Sequence, residues 1–404
     1  MIEVKKALEK GDLCDHCLGR LISLAFKGHP VEKVGAALRI SESEDEIKNN
    51  LNKNLQIKES KDCIVCKGLF LKNDVVEELI IDKMKGQEFE TFLIGNKLEQ
   101  GVQDAEENLW SIVGCENCEP IKREINRYFG KSLEAKTGKK VDFDNPDVMF
   151  TVNYQMNRIE TSISSVFIFG KYNKLIRGIP QTKWPCRECR GRGCKRCKQT
   201  GKMYEESVEE LISVIAIPMM QATGAKFHGQ GREDIDALML GRGRPFVLEI
   251  LNPKKRNVDL NELEKQVNKS DKVKITMLRF SDKKEVIKIK ASESSKTYDC
   301  LIECKGVSKE DVEKINCFFQ NIELQQNTPK RVIHRRADLL RKRKVISTEA
   351  ELIDSNHFKA RIKTQSGTYV KELISGDEGR TKPSFSELIS KPCRCETLDV
   401  VEID

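Results

Sequence analysis

Several absences narrow what this chain can do. No run of 18 apolar residues occurs, so no membrane span is expected. The opening segment, MIEVKKALEKGDLCDHC, lacks an apolar signal core, which points to a cytoplasmic protein. Neither a Walker lysine–threonine loop nor a dinucleotide GxGxxG is present, so no nucleotide-driven or nicotinamide chemistry is expected. The five histidines are scattered and suggest no His-based catalytic pair. Aromatic polar residues are scarce, six Tyr and two Trp, so each one beside a candidate motif matters. There is no internal repeat of the solenoid kind and no long low-complexity tract.

What is present is charge and cysteine. The 404 residues allow several domains, and 33% are charged. The 71 Lys and Arg exceed the 63 Asp and Glu, a net +8 that favours a polyanionic partner. Fifteen cysteines in a reducing compartment argue for metal rather than disulfides, as does their odd number. Cys14-x-x-Cys17 and Cys63-x-x-Cys66 supply four thiolates from two turns, a set suited to a tetrahedral zinc. Small buried thiols are the alternative. Cys186-x-x-Cys189 and Cys194-x-x-Cys197 form a tighter set that needs no distant partner. Its Arg190, Arg192, Lys195, Arg196 and Lys198 would lie beside RNA phosphates, or else form a solvated basic loop. Cys115 and Cys118 have no partner pair, and Cys393 and Cys395 have the wrong spacing for a knuckle.

Periodicity predicts an α+β chain. NDVVEELIIDKM and residues 119–133 read as helices, and FETFLIG, DVMFTVNY and SSVFIFGKY as strands. These define an α/β accessory region over 1–175. A catalytic domain over 176–404 follows, with a Cys-rich insert at 186–201. Within it ESVEELISVIAIPMMQATG, LNELEKQVN and SKEDVEKINCFF read as helices, the last with a capping box from Ser308 and Asp311. PFVLEIL, KVKITMLRF, TYDCLIEC and FKARIKTQ read as strands.

The segment GREDIDALMLGRGRPFVLEI concentrates Gly, Arg and carboxylates. A phosphate loop follows a strand and opens a helix, whereas GRGRPF precedes a strand. It is therefore read as a Gly-framed active-site loop feeding a strand, with a buried structural turn as the alternative. This segment resembles the catalytic-aspartate region of the archaeal and eukaryotic tRNA pseudouridine-54/55 synthases. More widely, Gly231-Arg232-Glu233-Asp234 is similar to the Gly-Arg-Leu-Asp signature of other pseudouridine synthases, with Glu233 in place of Leu. KYNKLIRGIPQTKWPC, the KTY of 296–298, TPKRVIHRRADLLRKRKV and KTQSGTYVKELISGDEGRTKPS resemble further motifs of that family in the same order. The paired CxxC pattern and α/β first half are similar to its zinc-binding and THUMP-like RNA-binding region.

The resemblance implies a mixed-sheet pseudouridine synthase domain acting on the tRNA T-arm, at position 54, 55 or both. It implies structural zinc and no catalytic cofactor, and the chain is expected to be a monomer. It selects Asp234 as the catalytic carboxylate, ahead of Asp236, and Lys371 as its positive partner. Tyr298 and Tyr369 become candidates to hold a flipped uracil, because a uridine stacked in an RNA arm must leave the stack to react. Arg335 and Arg336 stand within a basic run, from Arg331 to Lys344, expected to contact phosphates; a charged helix face is the other reading. Two rival functions remain at this level: a non-catalytic zinc-ribbon RNA-binding protein, and another THUMP-containing tRNA-modifying enzyme.

Overall fold

Alternation in VFIFGKYNK puts Val166, Ile168, Gly170, Tyr172 and Lys174 on one face of a strand, and all five are buried. Such a strand needs neighbours, and its neighbours lie downstream. In a computed structural model, which describes residues 2–404 without the side chains of Ile2, Glu3 and Arg335, the chain forms two compact units, Met1–Ser164 and Ser165–Asp404. The strand Val166–Lys174, assigned from sequence to the accessory region, thus belongs to the second unit. The boundary moves from 175 to 164 because its pairing is with later strands.

The first unit holds a four-stranded sheet of β1 (Thr91–Lys97), β2 (Lys140–Val141), β3 (Val148–Asn153) and β4 (Arg158–Ile163), in the order β2-β1-β3-β4. β1 runs parallel to β2 and β3, and β4 returns antiparallel. The expected helix Asn73–Met84 forms, as does Ile121–Thr137, which sets Ile121, Ile125, Phe129 and Leu133 into the core at helical spacing. The charged stretch SESEDEIKNN also proves helical, over Glu44–Leu51, capped by Ser43, whose hydroxyl accepts from the Glu46 N–H. Cys14, Cys17, Cys63 and Cys66 are part of the same buried core as Phe92, Phe129 and Phe150.

The second unit is built on a ten-stranded sheet. Its strands are β5 (Val166–Lys174), β6 (Gly224–Gly229), β7 (Leu238–Leu251), β8 (Val273–Ser281), β9 (Lys296–Glu303), β10 (Ile322–Gln326), β11 (Arg341–Leu352), β12 (His357–Thr364), β13 (Thr381–Lys382) and β14 (Arg394–Ile403). The order is β13-β10-β11-β12-β9-β14-β7-β5-β8, with β6 also on β7. All pairs are antiparallel except β7 with β14. β7 includes the GRGRPF segment expected to precede a strand. Gly241 (φ 59°) and Gly243 (φ 75°) place left-handed residues inside it, so the strand turns from β14 towards β5 and β6. The capping box of Ser308 and Asp311 is present at the helix Lys309–Phe318. Among the described residues no helix is long and apolar enough to cross a membrane.

Candidate active site

The site begins with a buried polar platform. Tyr172, inward on β5, donates its hydroxyl to both oxygens of Glu233, at 2.9 and 2.7 Å. Arg244 Nε of β7 lies 3.0 Å from the same carboxylate, an ion pair with both side chains out of solvent. That contact lies off the line of the N–H bond, since Nε makes no hydrogen bond there. Burying these charges singly would be expensive; together they neutralise one another. Glu233 replaces the Leu of the wider signature, and Arg244 with Tyr172 explains how a carboxylate is held at that place. Beside it the Lys174 ammonium, fully buried, donates to the carbonyls of Ile179, Asp234 and Ile235 at 3.0, 3.1 and 3.1 Å. Three donors meet three carbonyls, so the backbone of the 233–236 turn is pinned from below.

Above this platform Asp234 faces a hollow of about 400 Å³, with its side chain 38% exposed and so reachable. Arg331 Nη1 lies 3.2 Å from Asp234 Oδ2 and Lys371 Nζ 3.5 Å from it. Lys371 is closer to Asp236, at 2.7 Å, so the expected partner of Asp234 is shared and Arg331 is the nearer cation. Burial presses the Lys371 ammonium down, but its hydrogen bond to Asp236 and the charge of Asp234 hold it above the usual lysine range. Arg331 is itself steadied by the buried Glu372 at 2.6 Å.

Tyr298 and Tyr369 line the same hollow. Tyr298 packs against the two larger cores of the unit, and burial pushes its phenol up to about 12, so it stays neutral. Tyr369 sits at the cap of the helix Val370–Ser375. Its N–H donates to Gln326 Oε1 and its carbonyl accepts from Gln326 Nε2, each at 3.0 Å, while its hydroxyl accepts from Arg336 Nη1 at 3.0 Å. The ring is thereby fixed from both ends. Arg336, Arg341 and Arg343 add positive charge to the wall. The basic run is no helix face: it is a short turn, Ile333–Arg335, followed by β11. The Arg335 side chain lies outside the described residues.

The two cysteine sets converge as their spacing predicts. In each, the four sulfurs lie within 4.8 Å of one another. Tetrahedral zinc with bonds of about 2.3 Å requires sulfurs about 3.8 Å apart. The separations are 3.6 Å for Cys14–Cys66 and 3.9, 3.8 and 3.7 Å for Cys186–Cys194, Cys189–Cys197 and Cys194–Cys197. Disulfides, at about 2.05 Å, are excluded by these distances. The N–H groups of Gly193 and Gly201 donate to Cys189 Sγ and Cys197 Sγ at 3.2 Å, and Arg20 Nη2 donates to Cys17 Sγ at 3.5 Å. Such donors favour thiolates, the form a metal binds. Cys118 instead donates to the carbonyls of Leu21 and Gly114, as an isolated thiol does.

The family model "Pus10, C-terminal" matches residues 167–404, and "Pus10 THUMP domain, archaeal" matches 77–153. A Methanocaldococcus jannaschii protein named tRNA pseudouridine synthase Pus10 is 40% identical, over 98% of this chain and 93% of its own. Proteins of the same name from Methanopyrus kandleri and Pyrococcus furiosus are 38% and 39% identical, each over 99% of this chain and 97% of theirs. This chain belongs to the Pus10 family. The Pus10 C-terminal match takes in every residue of the hollow and the Cys186–Cys197 set. The Pus10 THUMP match starts after Cys66, so the first cysteine set precedes it.

Sequence reasoning missed Arg331 as the carboxylate's nearer cation, and Lys174, Arg244 and Gln326 altogether. Two of these carried a signal: Lys174 lies in the inward register of an otherwise apolar β5, and Arg244 is a charge inside a strand.

Proposed function

We propose that this chain isomerises uridine to pseudouridine in the T-arm of tRNA, at position 54, 55 or both, with Asp234 as the reacting carboxylate. The observation that carries the reading is Asp234 itself. It is solvent-reachable, set on a pinned turn between Arg331 and Lys371, and shares its hollow with Tyr298 and Tyr369. The relatives' name, tRNA pseudouridine synthase, agrees with it.

The reaction breaks the N1–C1′ bond, turns the uracil and rejoins it through C5, whose proton is lost. It transfers no electrons and no phosphoryl group, so the chain's own side chains suffice. Asp234 acts either as nucleophile towards the sugar or as base upon it; both routes use its carboxylate. Arg331 and Lys371 set two positive charges beside that carboxylate in a partly closed site. Tyr298 and Tyr369 offer the flipped uracil its walls, and the arginines of the rim, Arg336 among them, bind the flanking phosphates, a role proposed for Arg335 from its place in the same basic run. Zinc would be held by Cys14, Cys17, Cys63 and Cys66 and by Cys186, Cys189, Cys194 and Cys197. It would supply folding free energy and take no part in the reaction. Residues 1–164 would serve as the RNA-binding accessory unit and 165–404 as the catalytic one.

Incubation with tRNA carrying C5-tritiated uridine tests the reading. Tritium release without added cofactor is the expected outcome. Tight tRNA binding with no release would overturn it in favour of a binding protein.

A further inference from the structure

The hollow around Asp234 leaves the Cys-rich insert unused, and with it one of the chain's two tryptophans. Trp184 stands at the entrance of that insert. Its carbonyl accepts from the Met203 N–H at 2.9 Å, Pro185 bridges Lys202, and the Cys186 N–H donates to the Gly201 carbonyl at 2.7 Å. The two ends of the insert are therefore zipped directly at Trp184, and the four sulfurs close the far end. The indole meets the ring of Tyr204 edge-on, at 5.7 Å and 80°. The guanidinium of Arg232, two residues before Asp234, lies 5.7 Å from the indole centroid over its face.

A second hollow, of about 200 Å³, opens at this place. Pro180, Gln181, Trp184 and Arg232 line one part of it, and Asp234 and Lys371 the other. Asp234 thus borders two hollows, one walled by tyrosines and one by an indole and a proline ring. If the target uridine occupies the first, the nucleotide joined to it must pass beside Asp234. A flat indole flanked by an exposed guanidinium suits a base and its phosphate. A tryptophan serving only to pack the insert would be buried, whereas Trp184 is half-exposed beside the reacting carboxylate.

We propose that Trp184, held in place by the Cys186–Cys197 knuckle, stacks the nucleobase adjacent to the target uridine. The knuckle is then part of the active-site wall. This rests on the pseudouridine synthase reading.

The test uses the full chain with Trp110→Phe, which leaves Trp184 as the sole tryptophan. T-arm hairpin RNA is added either intact or abasic at one of the two positions flanking the target. Intact RNA should quench Trp184 emission. RNA abasic on one flank should fail to quench and bind about tenfold more weakly. Trp184→Ala should lose the same factor with intact RNA and nothing further with that abasic RNA, while Trp184→Phe should recover most of it. Unchanged emission on RNA binding, or losses that multiply when variant and abasic site are combined, would overturn the proposal. Should Trp184→Ala unfold, emission from the Trp110→Phe chain still decides. Tritium release by the unaltered chain is scored separately, so failure of the reaction and failure of the stacking are read from different signals.

Discussion

Asp234 and Asp236 share one ammonium, and the distances divide their roles. Lys371 sits 2.7 Å from Asp236 and 3.5 Å from Asp234, while Arg331 reaches Asp234 alone of the two, at 3.2 Å. Asp234→Asn keeps the shape and removes the charge needed by either route. It should lower single-turnover pseudouridine formation by at least about a hundredfold and leave the tRNA dissociation constant nearly unchanged. Asp236→Asn should cost less, since it only frees Lys371 to move towards Asp234. Full activity in the Asp234 variant would remove the centre of the mechanism. Lys296 adds a pH signature. Burial, and then the charge of Arg244, press its ammonium down to about 8. It lines the hollow, so as pH rises through about 8 the site loses a cation and RNA affinity should fall. Lys296→Met should bind more weakly at pH 7 and lose that alkaline step. Binding isotherms from acid to alkaline pH read both; an identical alkaline decline in the variant would assign it to another group.

β7 carries the bend that shapes the site. A Cβ on Gly241 would stand 1.8 Å from the Val401 carbonyl oxygen, and its φ of 59° disfavours any side chain. Gly241→Ala should therefore push β7 off β14 and cost about 2–5 kcal/mol in denaturant unfolding, from strain and overpacking together. Gly306 is the control: φ is 70° but nothing lies within 4 Å, so Ala there should cost only about 1 kcal/mol. Equal losses at the two sites would mean the sheet yields easily. The same strand shows where sequence reading stops. Alternation made β5, β9 and β12 legible, and motif order selected Asp234, Tyr298, Tyr369 and Lys371, which do share one hollow. The bend in β7 was not legible, because two glycines within a strand look like a loop until the pairing partners are known. The role of Arg331 was hidden by its neighbours: among so many cations, only the fold shows which one faces Asp234 and Glu372.

At the scale of the chain, the unit boundary decides which fragments can work. Among the described residues β8 pairs only with β5, and β5 also lends Tyr172 and Lys174 to the platform under Asp234. A fragment of residues 176–404 therefore loses the partner of an edge strand, the hydroxyl on Glu233 and the ammonium pinning the turn that carries Asp234. It should unfold without a cooperative transition. The fragment 165–404 keeps the cores of its unit and should melt as one cooperative body. Metal follows the same division. The full chain should carry two zinc ions, and Cys66→Ser should lose one and loosen the first core, of which the four thiols are part. If residues 1–164 supply RNA contacts, 165–404 should bind tRNA more weakly than the full chain, with a shallower dependence on salt because fewer phosphates are neutralised. Calorimetry of both fragments, with filter binding from low to high salt, tests the set. A cooperative melt of 176–404 would show that β5 is dispensable. A salt slope of 165–404 equal to that of the full chain would place all phosphate contacts in the second unit.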